Sequence, residues 1–141
     1  MTINDDGELK QILMTVKTVA SVGASSNPEK PSHSIFQYLL QHGYEMIPVN
    51  PGTPEIQGQK TYPDLAAIPK KIDVVQVFRK SEDVPPVVDQ AIAVGAKIVW
   101  MQEGVVNEEA AAKAEAAGLK VVMDRCMRAT HRRLLGEQFH L

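Results

Sequence analysis

Short apolar runs alternate with segments of helical periodicity along this chain. Thr18-Val19-Ala20-Ser21-Val22 is brief, rich in β-branched residues and stopped by Gly23, which reads as a buried strand. A polar loop follows, Ala24 to Pro31. Ser32 to His42 then carries Ile35, Phe36, Leu39 and Leu40 at helical spacing, with Gly43 placed to cap its end. Glu45 to Val49 reads as a second strand. Its Pro48 has no N–H, so it must lie where no ladder bond is needed. Asn50-Pro51-Gly52 breaks the chain, and a Gly/Pro-punctuated segment runs to Pro69, with room for one helical turn over Tyr62 to Ala67.

Asp73 to Phe78 is a third strand. Pro85 and Pro86 suit the first turn of a helix, where a missing N–H costs nothing, and that helix runs through Val87, Val88, Ala91 and Ile92 to Gly95. Lys97 to Met101 is a fourth strand. Asn107 is placed to cap a helix opened by Glu108 and Glu109, rich in alanine and ended at Gly118. Leu119 to Met123 is a fifth strand, and a short helix is expected from Thr130. Residues 5 to 14 read as a further helix before the first strand.

Strands alternating with helices imply right-handed crossovers and a parallel sheet. Near-continuous apolar strands imply that both faces are covered. The expectation is an α/β chain: a three-layer Rossmann-like fold with a five-stranded parallel sheet in the order 3-2-1-4-5, one domain over residues 1–141.

Composition narrows the class. With 44% hydrophobic and 23% charged residues, the chain is neither disordered nor membrane-spanning in character. The 15 basic against 17 acidic residues leave a net charge of −2, which lacks the basic footprint of a general nucleic-acid binder. The polar start, Met1 to Lys10, carries no signal-peptide core, and the single cysteine, Cys126, suits a reducing compartment, so a cytoplasmic protein is expected.

In such folds ligands sit beyond the carboxyl ends of the strands, at the switch point beside strand one. Four loops should meet there: Gly23–Pro31, Asn50–Gly52, Phe78–Ser81 and Gln102–Val106. The first is the most informative. Small residues after a strand and before a helix let backbone N–H groups approach phosphate oxygens, with Ser25, Ser26 and Ser32 as hydroxyl donors and Lys30 as a charge. The plainer reading is that Gly23 only permits a tight turn. No G-x-x-x-x-G-K-S/T is present, Ala24 and Ser25 stand where a dinucleotide fingerprint wants glycines, and the second strand ends in Asn50-Pro51 rather than in an acid for an NAD ribose.

The runs Val22-Gly23-Ala24-Ser25, Pro28-x-Lys30-x-Ser32 and Gly43-Tyr44-x-x-Ile47-Pro48-Val49-Asn50-Pro51 resemble the stand-alone CoA-binding proteins, which are similar to the N-terminal CoA-binding domain of succinyl-CoA synthetase α chains. The resemblance continues through Asp73-Val74-Val75, Phe78-Arg79, Ala91-Ile92-x-x-Gly95-Ala96-Lys97, Trp100-Met101-Gln102-Glu103-Gly104, Asp124-Arg125-Cys126 and His131-Arg132-Arg133-Leu134, over about residues 15 to 135. It implies CoA lying across the strand ends. Carried over by position, Gly23, Ala24 and Ser25 would face the pyrophosphate, and Asn27, Lys30 and Ser32 would support the phosphates. Val49, Asn50 and Pro51 would line the adenosine side, Phe78 and Arg79 the opposite wall, and Gln102, Glu103 and Gly104 the path of the pantetheine arm. The synthetase reaction is not expected to follow, because it uses a phosphorylated histidine from a later domain and a partner chain, and no histidine here matches.

Each candidate for chemistry has a plainer explanation beside it. Cys126 lies among arginines that would favour a thiolate able to pair with the thiol of CoA; a packing role is the commoner fate of such a residue. Glu103 has the chemistry of an acid or base, yet loop carboxylates usually pair or face water. Arg125, Arg128, Arg132 and Arg133 fit a phosphate or a subunit neighbour, and more often form solvated surface. His33 and His42 show no metal-ligand spacing, so no metal is expected. The first expectation is therefore a protein that binds CoA or acyl-CoA without catalytic residues of its own, with no nucleic-acid or membrane partner, and with a protein partner or homo-oligomer left open. A small enzyme on a CoA thioester using Cys126 or Glu103 and a nicotinamide- or adenine-nucleotide sensor are the alternatives.

Overall fold

The computed structural model describes all 141 residues. In chain order its strands are β1 (Thr18–Val22), β2 (Glu45–Val49), β3 (Glu55–Ile56), β4 (Gln59–Lys60), β5 (Val74–Val77), β6 (Ile98–Met101) and β7 (Lys120–Val122). All but β3 and β4 belong to one five-stranded parallel sheet. Five helices accompany them: α1 (Asp6–Thr15), α2 (Pro31–Gln41), α3 (Val84–Ala93), α4 (Glu108–Ala116) and α5 (Met127–Leu134). Side chains alternate across each strand, and both faces are buried. Ala20, Val22, Val75, Val77, Val99 and Met101 pack against Val84, Val88 and Ala91 of α3 and Ala110, Ala111 and Ala114 of α4. Val19, Val74, Ile98 and Trp100 pack against Leu9 and Leu13 of α1, Phe36 and Leu39 of α2, and Met127 of α5. This is the expected three-layer Rossmann-like fold.

The strand order is β2-β1-β5-β6-β7, so the five strands run 2-1-3-4-5 and the expected 3-2-1-4-5 is corrected. The third strand joins strand one rather than strand two. Pro48 supplies the reason. Its carbonyl accepts from Tyr62 N at 3.0 Å on the side of β2 away from β1, and its missing N–H points the same way. A strand interrupted there cannot carry a full ladder on that side, so β2 lies at the edge of the sheet. The edge is covered by the small antiparallel hairpin of β3 and β4, absent from the sequence reading. Its turn residues, Gln57 and Gly58, both have positive φ, 50° and 77°.

Helix ends follow their caps. The Asn107 side chain accepts from Ala110 N at 2.9 Å and opens α4. The last helix begins at Met127 rather than near Thr130, because Cys126 Sγ accepts from Ala129 N and Gln102 Oε1 accepts from Met127 N. The turn expected over Tyr62 to Ala67 is a short helical turn at Leu65–Ala67. No helix is long and apolar enough to cross a membrane.

Candidate functional site

Strand β1 lies between β2 and β5, and the crossovers from β1 and β5 leave on opposite faces of the sheet. The chain therefore diverges at the carboxyl ends of these strands and leaves a crevice. A cavity of about 490 Å³ opens there, lined by Gly23, Lys30, Pro31, Ser32, Ile35, Phe78, Arg79, Lys80, Gln102, Glu103, Val105 and Cys126.

Gly23 joins the first loop to the loop after β5. Its φ is +93°, and a Cβ there would stand 2.2 Å from the Phe78 carbonyl oxygen and 2.9 Å from Arg79 Nη1. Only a residue without a side chain allows this approach. The requirement is backbone against backbone, so Gly23 serves the packing of the two cavity walls whatever binds between them.

The loop beyond Gly23 is held by its own polar groups. Ser25 Oγ accepts from Asn27 N at 3.0 Å, Asn27 Oδ1 accepts from Glu29 N at 3.0 Å, and the Asn27 carbonyl accepts from Lys30 N at 3.1 Å. These bonds lead the chain into α2. Lys30 is the N-cap of that helix and gives no side-chain cap, and Pro31 has no N–H to offer. The amides of Ser25, Ser26 and Ser32 find no acceptor within the chain. The positive end of α2 is thus directed at the cavity with unused donors.

Three cations line the same space: Lys30, Arg79 and Lys80. None has an acidic partner, whereas Lys70, Lys97, Lys113, Lys120, Arg132 and Arg133 are each ion-paired elsewhere. Glu103, on the cavity rim, is exposed and likewise unpaired. A larger groove of about 600 Å³ lies at the opposite end of the sheet, but its Lys97 and Lys120 are bonded to Asp73 and Glu8 at 3.3 and 3.1 Å. Three cations without an acidic partner thus meet at the carboxyl end.

Of the residues read from the sequence, the cavity brings together Gly23, Lys30, Ser32, Phe78, Arg79, Gln102 and Glu103. Others are not among its lining residues. Ala24 is fully buried in the core. Ser25 is half-buried and Asn27 exposed in the loop just described. Val49 is a core residue whose carbonyl accepts from Gly23 N at 3.1 Å, and Asn50 donates through Nδ2 to the Ala24 carbonyl at 2.8 Å. Pro51 and Gly104 are exposed, and Gly104 N donates to Asp124 Oδ1 at 2.7 Å. Gln102 is buried with Oε1 already accepting from Met127 N at 3.1 Å.

Lys80, Pro31, Ile35 and Val105 also line the cavity, although the sequence singles out none of them individually as a site residue. Lys80 follows Arg79 in a loop already singled out, so its charge was the available signal. Cys126, for which a packing role is the plainer expectation, lines the cavity and caps α5. His131, five residues on, is fully buried with Nδ1 2.9 Å from the Tyr38 hydroxyl. Three of the four arginines near it are engaged at the surface: Arg133 with Asp6 at 3.0 Å, Arg132 with Glu137 at 2.7 Å and Arg125 with Asn4.

A family model described as a CoA binding domain matches residues 17–132. The uncharacterized protein YneT of Bacillus subtilis is 40% identical over 124 residues, covering 88% of this chain and 92% of its own. A solved structure of a hypothetical protein from Pyrococcus horikoshii superposes with a TM-score of 0.93 at 45% identity, covering 96% of this chain and 97% of that one. The α subunit of an ADP-forming acetate–CoA ligase of Pyrococcus furiosus is 34% identical over 95 residues, 63% of this chain but only 21% of that subunit.

Proposed function

The chain belongs to the CoA binding domain family, as its motifs led us to expect, and we propose that it holds CoA or an acyl-CoA in the cavity at the strand ends without catalysing a reaction on it. One observation carries this reading: the unpaired Lys30, Arg79 and Lys80 share the cavity with the free-amide end of α2. The pyrophosphate and 3′-phosphate of CoA need such donors, and a cluster of like charges is costly to maintain without an anion between its members. Ile35, Phe78 and Val105 supply apolar wall for the uncharged parts of the ligand.

The non-catalytic part rests on how the reactive groups are used. Cys126 Sγ accepts from a helix amide, and His131, the histidine nearest to it in sequence, is fully buried with Nδ1 on the Tyr38 hydroxyl. A thiol nucleophile wants a base within reach and a third group to orient it. Asn50, where an NAD ribose would want a carboxylate, spends its side chain on Ala24 and Gly52.

Thermal unfolding with CoA, acetyl-CoA, NAD, NADP and ATP tests the reading. CoA species should raise the midpoint and the others should do little. Equal stabilisation by NAD would sink it.

A further inference from the structure

Resting on the reading that the cavity takes the pyrophosphate of CoA, we propose that Asn50 is a positioning residue that acts through Ala24 to aim the Ser25 amide at that group. The Asn50 side chain is held at both ends. Its Oδ1 accepts from Gly52 N at 2.9 Å and its Nδ2 donates to the Ala24 carbonyl at 2.8 Å. Its own main-chain N–H donates to Tyr62 O at 2.9 Å, which fixes the base of the side chain to the segment covering the sheet edge.

Ala24 is where this brace matters. Its methyl group is fully buried, and its N–H reaches Ser21 O only at 3.4 Å. The bond from Asn50 is therefore the firmest polar restraint on the peptide that follows. In a planar trans peptide the carbonyl of one residue and the N–H of the next point in opposite directions. Holding the Ala24 carbonyl toward the end of β2 turns the Ser25 N–H away from β2. Phe78, Arg79 and Lys80, from the loop after the strand on the other side of β1, line the cavity. The amides of Asn27, Glu29 and Lys30 have acceptors inside the loop, while that of Ser25 has none. A donor oriented by a dedicated side chain and left without an internal partner is preorganised for an anionic oxygen. Both polar ends of Asn50 are consumed by the protein, so it acts on the ligand through Ser25 and not by contact.

The test uses the full chain, CoA as the probe, and the variants Asn50→Ala and Asn50→Asp. Aspartate keeps an oxygen for Gly52 N but sets an oxygen against the Ala24 carbonyl. Calorimetry should show CoA binding to the wild type, and both variants should bind about 10-fold more weakly, the scale of one hydrogen bond to a charged group. The Ser25 amide proton resonance should move when the wild type is saturated with CoA. In the variants it should be displaced before CoA is added and should respond less to it, a signature that a general loss of stability does not give. If Asn50→Ala does not fold, Asn50→Asp, of nearly the same size, carries the comparison. Wild-type binding with variant affinities unchanged, or a wild-type Ser25 amide indifferent to CoA, overturns the positioning role and leaves the CoA reading standing. An absence of CoA binding by the wild type overturns both.

Discussion

Replacing Gly23 with alanine puts the junction of the two cavity walls under direct strain. The new Cβ would stand 2.2 Å from the Phe78 carbonyl oxygen, 3.1 Å from the Phe78 carbonyl carbon and 2.9 Å from Arg79 Nη1. The arginine tip can swing aside. The Phe78 carbonyl is backbone, and the Phe78 N–H is tied to Val22 O at 2.9 Å. Carbon–oxygen contacts settle at about 3.3 Å or more, so one wall must retreat by about 1 Å. A side chain at a φ of +93° costs about 1–2 kcal/mol by itself. The forced displacement adds about 1–3 kcal/mol, for about 2–5 kcal/mol together. Gly95 separates the two contributions. Its φ is +72° and a Cβ there would meet nothing within 4 Å, so Gly95→Ala incurs only the conformational part, about 1–2 kcal/mol. Urea unfolding followed by circular dichroism should show a larger loss of midpoint for Gly23→Ala than for Gly95→Ala, at equal slope. The difference corresponds to about 3 °C in thermal midpoint for each kcal/mol. Equal losses in the two variants would refute the claim that Gly23 exists for the close approach of the loops.

Acid should weaken the fold through His131. Burial, reinforced by His42 and His140 nearby, lowers its pKa from 6.5 to about 4. The unfolded chain then binds the extra proton first, so this contribution is fully present above pH 6.5 and is lost as pH falls toward about 4. It amounts to at most about 3 kcal/mol, and His131→Leu should flatten the pH dependence of unfolding in that window; an unchanged profile would contradict the assignment. Arg79→Ala should weaken CoA about 3- to 10-fold and make the remaining affinity less sensitive to salt, as measured by calorimetry; a wild-type affinity and salt response would remove Arg79 from the site. Cys126→Ser should leave CoA affinity within about twofold, since a hydroxyl can also accept from Ala129 N; abolished binding would favour a thiol mechanism instead.

The sequence revealed the elements more readily than their arrangement. The helices over Pro31–Gln41 and Glu108–Ala116 were legible because periodicity, a terminal glycine and, for the second, Asn107 all agreed. Strand order was misread although Pro48 carried the information: a residue that cannot donate on one side belongs on an edge, which excludes a place between strands one and three. The hairpin at Glu55–Lys60 escaped notice because Gln57-Gly58 lacks the Asn or Asp that usually marks such a turn. The start of α5 was placed late because cysteine is not a usual N-cap and the other cap, Gln102, comes from a distant loop. At the site, three of the four predicted loops do line one cavity, because strand-end loops of a parallel sheet must emerge on one side. The Asn50 loop braces that cavity from behind, a distinction carried by two side-chain hydrogen bonds and not visible in residue type.

A crystal structure of the protein grown with CoA is the sharpest check on where the ligand lies. Phosphate oxygens are expected within hydrogen-bond distance of the Ser25, Ser26 or Ser32 amides, beside Lys30 and Arg79, with the rest of the ligand passing Phe78 toward Cys126. CoA found instead in the groove between Asp73, Lys97 and Lys120 at the far end of the sheet, or absent at saturating concentration, would contradict the assignment of the site.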